Sequence, residues 1–255
     1  MLKMRNEQLD RLKFVALERF ENEMVDHASL FSPRLYEVIG EDQMRHAVKR
    51  ALGRARTYGF TCRGPMRLYV ELMLLYGCDF DSDPQYSVVG GMLRAPQDQM
   101  RKAEEIFVHA VYYQEKVAGS NAERVFKALE FLAQVARSAD YRPRGSVDEL
   151  CGALTRAFPE KAEYVGQDNL LALIQRAFHE CYELQFDSPR ARMLVAAMMY
   201  AFGHGFACDP LYPWISRTLK NERLETPDAR AARLEKRALT WLDHVLAAPR
   251  GGGES

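Results

Sequence analysis

Met44, Ala47, Val48, Ala51, Leu52 and Ala55 recur at steps of three and four residues, and Leu170, Leu173, Ile174, Ala177, Phe178 and Cys181 repeat that spacing further along the chain. The period places each set on one face of an amphipathic helix. Each stripe is followed by a segment that is apolar nearly all round, "MRLYVELMLLYG" from Met66 and "MLVAAMMYAFG" from Met193. Such segments predict helices enclosed by their neighbours, with Gly77 and Gly203 as left-handed caps that stop them. The pattern predicts further helices over 6–27, 98–118, 121–138 and 227–247, and no strand-like alternation is present. The fold class expected is all-α.

Written against itself at an offset of 126, the chain aligns residues 33–93 with 159–219 without a gap, and fifteen of the 61 positions are identical. About four would be expected by chance, at roughly 6% per position. The shared residues include Gly40/Gly166, Gly77/Gly203, Asp83/Asp209 and Pro84/Pro210, types that set backbone geometry. Duplication of one helical unit is the economical reading. It predicts two tandem, similar helical bundles packed together, over 1–138 and 139–248. The stretch "SADYRPRGS" at 138–146 is the expected linker, and 249–255 a frayed tail.

Charge adds little globally, because Lys plus Arg and Asp plus Glu both number 35 in a chain of 255 residues. No overall field draws it to nucleic acid or to anionic lipid. The longest nearly unbroken apolar run, Met193 to Phe202, is about half of what a bilayer span needs. The opening "MLKMRNEQLDRLKF" lacks the continuous apolar core of a secretory signal. These features predict a cytoplasmic protein without a membrane partner. The five cysteines, Cys62, Cys78, Cys151, Cys181 and Cys208, form no CxxC pair and are expected as buried free thiols.

Asp79, Asp81 and Asp83 in "CDFDSDPQY" begin like a calcium loop, but Pro84 and Gly90 occupy the places of the required glycine and glutamate. In the second segment Gly205 and Ala207 replace the first two aspartates, whereas Asp209-Pro210 matches Asp83-Pro84. Asp before Pro marks a helix start: the carboxylate accepts from first-turn amides, and proline there gives up no needed donor. "HECYE" at 179–183 lacks the second histidine of a zincin helix, and His204 with Cys208 supplies two ligands where four are needed. No GxxxxGK[ST], GxGxxG or GxSxG occurs, so no catalytic, cofactor or metal residue is assigned.

Residues 43–70 hold seven cations and no acid, with Arg45, Lys49, Arg50, Arg54 and Arg56 on the first stripe's helix. Three readings stay open: a solvated face balanced by Glu71 and the aspartate loop, a docking face for an acidic protein surface, or a nucleic-acid contact. The last lacks interleaved base-stacking aromatics apart from Tyr58. Tyr112, Tyr113, Trp214 and Trp241 fall on spacings expected of core positions.

The combination of "RNEQL", "RARTYGF", "FDSDP" and "HGFACDPLYPW" with "ARAARLEKRALTWLDHV" resembles a family of all-helical accessory proteins. Its members are encoded beside spike-tip and effector genes of bacterial type VI secretion systems. The likeness spans most of the chain, although the first segment has "DPQYSVV" in place of the "DPxxPW" ending. It implies a non-enzymatic adaptor or chaperone-like protein that binds a secreted effector or its spike-tip carrier, without a cofactor. Two alternatives remain, an immunity protein that neutralises a neighbouring toxin and an enzyme of unknown type. At this level a chelator should leave the melting temperature unchanged, and Asp209→Ala should cost about 1 kcal/mol in urea unfolding, the worth of one cap.

Overall fold

The computed structural model describes residues 6–138, 141–224 and 226–247. Among them are thirteen α-helices and no strand. The chain begins with α1 (Asn6–Phe31), α2 (Pro33–Ile39), α3 (Glu41–Thr57) and α4 (Arg63–Tyr76). Then follow α5 (Ser87–Arg94), α6 (Gln99–Tyr113), α7 (Glu123–Arg137), α8 (Val147–Ala157) and α9 (Pro159–Val165). α10 (Gln167–Leu184), α11 (Pro189–Phe202), α12 (Pro213–Leu219) and α13 (Pro227–Ala247) complete the order.

The apolar stripes bury as their spacing requires. On α3 the whole set from Met44 to Ala55 is buried, and on α10 Leu170, Leu173, Ile174, Ala177 and Cys181 are buried with Phe178 half-exposed. The two helices that read as apolar all round are the central ones. α4 packs against α1, α3 and α6, while α11 packs against α8, α10 and α13. One continuous core cluster runs from Phe20 to Ala238. α7, expected to end the first unit, packs against α13 and α8.

Element bounds recur at the interval of 126 seen in the sequence: α2 with α9, α4 with α11, and the single turns Phe80–Ser82 and Phe206–Cys208. Backbone details recur as well. Gly77 and Gly203 have φ of 97° and 92°, and their amides donate to Met73 O and Met199 O at 2.9 Å each. A side chain at Gly77 would sit 2.7 Å from Phe202 O, so the position needs glycine for close approach as well as for its positive φ.

The Asp-Pro turns meet across this junction. Asp83 accepts from the Gln85 amide in its own turn at 2.8 Å and from the His204 amide at 2.7 Å. Asp209 accepts from the Leu211 amide at 2.8 Å and from the Cys78 amide at 2.9 Å. His204 and Cys78 are each the residue after the capping glycine. Both carboxylates therefore cap locally and also clamp the end of the opposite central helix. Burial raises the Asp209 carboxyl above its ordinary value, opposed by the hydrogen bonds from Cys78 and Leu211, and burial and Asp209 push the Cys78 thiol up.

Several expectations change. Asp83 caps a single turn, Pro84–Tyr86, and not an α-helix; α5 begins at Ser87 and α12 at Pro213. The helix expected over 98–118 ends as α6 at Tyr113 and continues as one π turn, Gln114–Ala118. Cys62 and Cys208 are exposed, not buried, because both lie at turns on the surface. Tyr113 joins the core, but Tyr112 is 52% exposed because it lies on the outer side of α6. Trp214 and Trp241 are half-buried, each edge-on to Phe202. The tail at 249–255 and the linker residues 139–140 lie outside the described residues.

Asp209→Ala would leave the Cys78 and Leu211 amides without acceptors, at about 1–3 kcal/mol for a buried orphaned donor. The expected loss in urea unfolding is therefore about 2–4 kcal/mol, above the value of a solvent-exposed cap. A loss of about 1 kcal/mol or less would show that the clamp across the junction is not made.

Candidate functional site

α3 carries its cations on the face opposite its buried stripe, and the structure accounts for most of them. Arg45 reaches Asn22 on α1 and Glu41 one turn back at 2.7 Å, and Lys49 lies 3.6 Å from Glu21. Arg50 grips Asp79 with bonds of 2.6 and 2.9 Å, while Arg54 binds both oxygens of Asp81 at 2.8 and 2.5 Å. Arg63 pairs with Glu23, and Arg67 with Glu71 at 2.9 Å, which also meets His27. Arg56 is exposed, and its side chain makes no hydrogen bond or ion pair among the described residues. The run of cations without an acid is thus balanced from α1, from α4 and from the aspartate turn.

This arrangement also explains the triple aspartate. Asp79 and Asp81 face arginines, with Arg54 reaching both, and Asp83 faces amide donors, so each carboxylate is engaged by donors of the protein itself. Asp81 is fully buried and accepts in addition from the Tyr69 hydroxyl at 2.7 Å. Burial and Asp81 both raise the Tyr69 phenol, which keeps it a donor. Asp79 stands where its Oδ2 would be 2.3 Å from any side chain at residue 205, which accounts for Gly205.

His204 and Ser82 approach to 3.1 Å, a distance that invites a nucleophile-and-base reading. The partners of the ring oppose it. Arg176 donates to His204 Nδ1 at 2.9 Å, so the neutral ring carries its proton on Nε2. That proton points to Ser82 Oγ and to Asp79 O at 3.2 Å. A ring that donates to the serine does not take its proton.

The remaining surface feature was missed in the sequence. From Ile106 to Tyr113 α6 reads FVHAVYY after Ile106, apolar or aromatic on every side except His109. Ile106 and Tyr113 enter the core, while Phe107, Val108 and Val111 are 56%, 63% and 41% exposed and stand beside Tyr112. Phe107 with Val111, and Val108 with Tyr112, form two i, i+4 rows on the outer side. The signal was available: the same all-round apolarity identified α4 and α11 as enclosed helices, and here the outer side faces water. His109, on the inner side, bonds the Tyr164 hydroxyl of α9 at 2.7 Å and anchors the face to the later part of the chain.

Arg54→Leu leaves buried Asp81 with tyrosine hydroxyls alone and should cost about 2–3 kcal/mol, discounted for the partial exposure of the arginine. Arg56→Ala should change stability by less than about 0.5 kcal/mol. Paired urea titrations check both, and equal effects would contradict the geometry described.

No family model, curated protein or solved structure matches this chain.

Proposed function

We propose that the protein is a non-enzymatic, protein-binding adaptor that uses the outer face of α6. The observation that carries the reading is the pair of apolar rows Phe107/Val111 and Val108/Tyr112, large side chains left in water on a helix otherwise anchored to the core. Grouped exposed apolar side chains of this size mark contact surfaces. Covering them recovers about 25 cal/mol per Å² of apolar area. Two i, i+4 rows form ridges that fit the grooves of a facing helix, so the partner element is the apolar face of an amphipathic helix. Arg101, Glu104, Glu105 and Glu115 give the face a polar rim of mixed charge.

The likeness to type VI secretion accessory proteins supplies the class of partner, a secreted effector or its spike-tip carrier. Held in this way, the partner is stabilised by mass action before secretion. Internal duplication completes the proposal, with two tandem bundles derived from one unit. The matched element bounds, the fifteen identities and the reciprocal clamps support it, since exchange of equivalent contacts is what a two-fold relation between copies produces.

Co-expression with effector and spike-tip proteins followed by pull-down tests the reading. Phe107→Glu and Val111→Glu should fold like the parent and weaken the complex by at least about tenfold, as loss of a central anchor does. Arg56→Glu should leave affinity nearly unchanged at physiological salt. Absence of any complex, or unchanged affinity in both α6 variants, overturns the proposal. Capture of a toxin domain whose activity is abolished replaces it with the immunity reading.

A further inference from the structure

A cavity of about 240 Å³ lies between α4, α7, α9 and α11, with Lys161 of α9 in its wall. It is larger than the roughly 150 Å³ apolar cavities that take up benzene. Tyr76, Tyr86, Tyr113, Tyr200 and Phe158 surround the lysine, and exposed Leu75, Gln114 and Ala201 lie at the rim. We propose that this cavity binds a small aromatic carboxylate, with the carboxylate on Lys161 and the ring among the tyrosine faces.

Lys161 is the first ground. Its side chain is buried, with Nζ 2.6 Å from Tyr200 O and over the rings of Tyr86 and Tyr200 at 5.6 and 4.6 Å. An ammonium has three N–H donors, and one carbonyl uses one of them. No ion pair links Lys161 to an acid among the described residues. Lys102 provides the contrast, a buried lysine that bonds two helix-end carbonyls, Tyr58 O at 2.9 Å and Leu93 O at 3.1 Å. A carboxylate would satisfy the further donors of Lys161 and its charge in one contact.

The aromatic surroundings select the rest of the ligand. Tyr76 and Tyr86 stack at 4.4 Å between centroids, and Tyr113 stands edge-on to both. Burial raises the phenols of Tyr76, Tyr86, Tyr113 and Tyr200, so all four stay protonated; the Tyr200 hydroxyl donates to Phe158 O at 3.2 Å and the Tyr86 and Tyr113 hydroxyls bond each other, which leaves the charge of the guest to Lys161. Flat rings with fixed edges favour a planar guest.

The wall opposite is built from uncommon backbone. Gln114 and Ala118 belong to the π turn, and Ala122, like Asn121 before it, holds a left-handed conformation at φ 58°. π turns and left-handed non-glycine residues cluster at functional sites. The ground is independent of the α6 surface and goes beyond the adaptor reading.

Burial pulls Lys161 down to about 8, with Asp83 opposing the shift, so it is charged at pH 7 and neutral at pH 9. The titratable groups around it are Tyr76 from α4, Asp83 and Tyr86 from the Asp-Pro turn, Tyr113 from α6 and Tyr200 from α11, with Glu160 beside it on α9. Tyr164 and His109 lie one shell out, and burial lowers His109, which stays neutral over that range. α7 and α8 contribute apolar lining.

Isothermal titration of the full chain with sodium benzoate, and with benzyl alcohol as the neutral isostere, tests the assignment. Benzoate should bind saturably at pH 7 with a dissociation constant between about 10 µM and 1 mM, at least about tenfold tighter than benzyl alcohol. Its affinity should fall severalfold between pH 7 and pH 9. Lys161→Met should lose at least about tenfold for benzoate and little for benzyl alcohol. Ala201→Trp, a change at the exposed rim, should keep the parent melting temperature and block both. No saturable benzoate binding, or benzoate bound equally well by Lys161→Met or by Ala201→Trp, overturns the proposal.

Discussion

Two buried aspartates, Asp83 and Asp209, tie the structure together. Each holds its own Asp-Pro turn with one oxygen and the end of the opposite central helix with the other. The amides they accept from follow Gly77 and Gly203, helix ends of positive φ, and at Gly77 a side chain would also meet the Phe202 carbonyl. A buried carboxylate is costly unless its oxygens are hydrogen-bonded. Here the amides meet that requirement, and they fix how the two central helices approach. The close approach at Gly77 and the placement of the turns beside the ends of α4 and α11 follow from one pair of contacts.

Charge at the same junction follows from local balance. Arg50 and Arg54 extend from α3 to Asp79 and Asp81, while the equivalent of Asp79 is Gly205 and that of Arg54 is Glu180. The first segment thus carries an arginine–aspartate network that the second lacks. Arg176, equivalent to Arg50, turns instead to His204. Shared positions shape the backbone, and unshared ones complete each other across the seam, most plainly where the Asp79 side chain occupies the space that Gly205 leaves.

The helices were legible because burial selects a 3.6-residue period and because Gly77, Gly203 and the prolines punctuate it. The stripes from Met44 and Leu170 needed no tertiary information. The Asp-Pro turns were half legible: the bond to a neighbouring amide is local, but the partner amides stand 121 and 131 residues away. The basic run left three readings open, and the pairs formed with Glu71, Asp79 and Asp81 are those of the first; the acids of α1 that add to them, Glu21 and Glu23, are distant in sequence. Tyr112 was misread because helical spacing does not say which apolar side of α6 meets the core and which meets water, and Tyr113 takes the inner position. Nothing in the local sequence marked Lys161, whose surroundings come from five separate helices and turns.

On the proposed duplication, these similarities and differences fall into two kinds. Positions kept in both segments, the capping glycines and the Asp-Pro turns, preserve the frame that lets the units clamp each other. Departures from the shared pattern then identify where chemistry could be added without loss of that frame. Lys161 stands where the first segment has Leu35, so the aligned positions differ by a buried cation facing tyrosines. Desolvation makes such a change unfavourable for stability alone. A buried cation of that cost, in a cavity bounded by left-handed backbone at Asn121 and Ala122, is better explained by what it binds than by the folding of the chain.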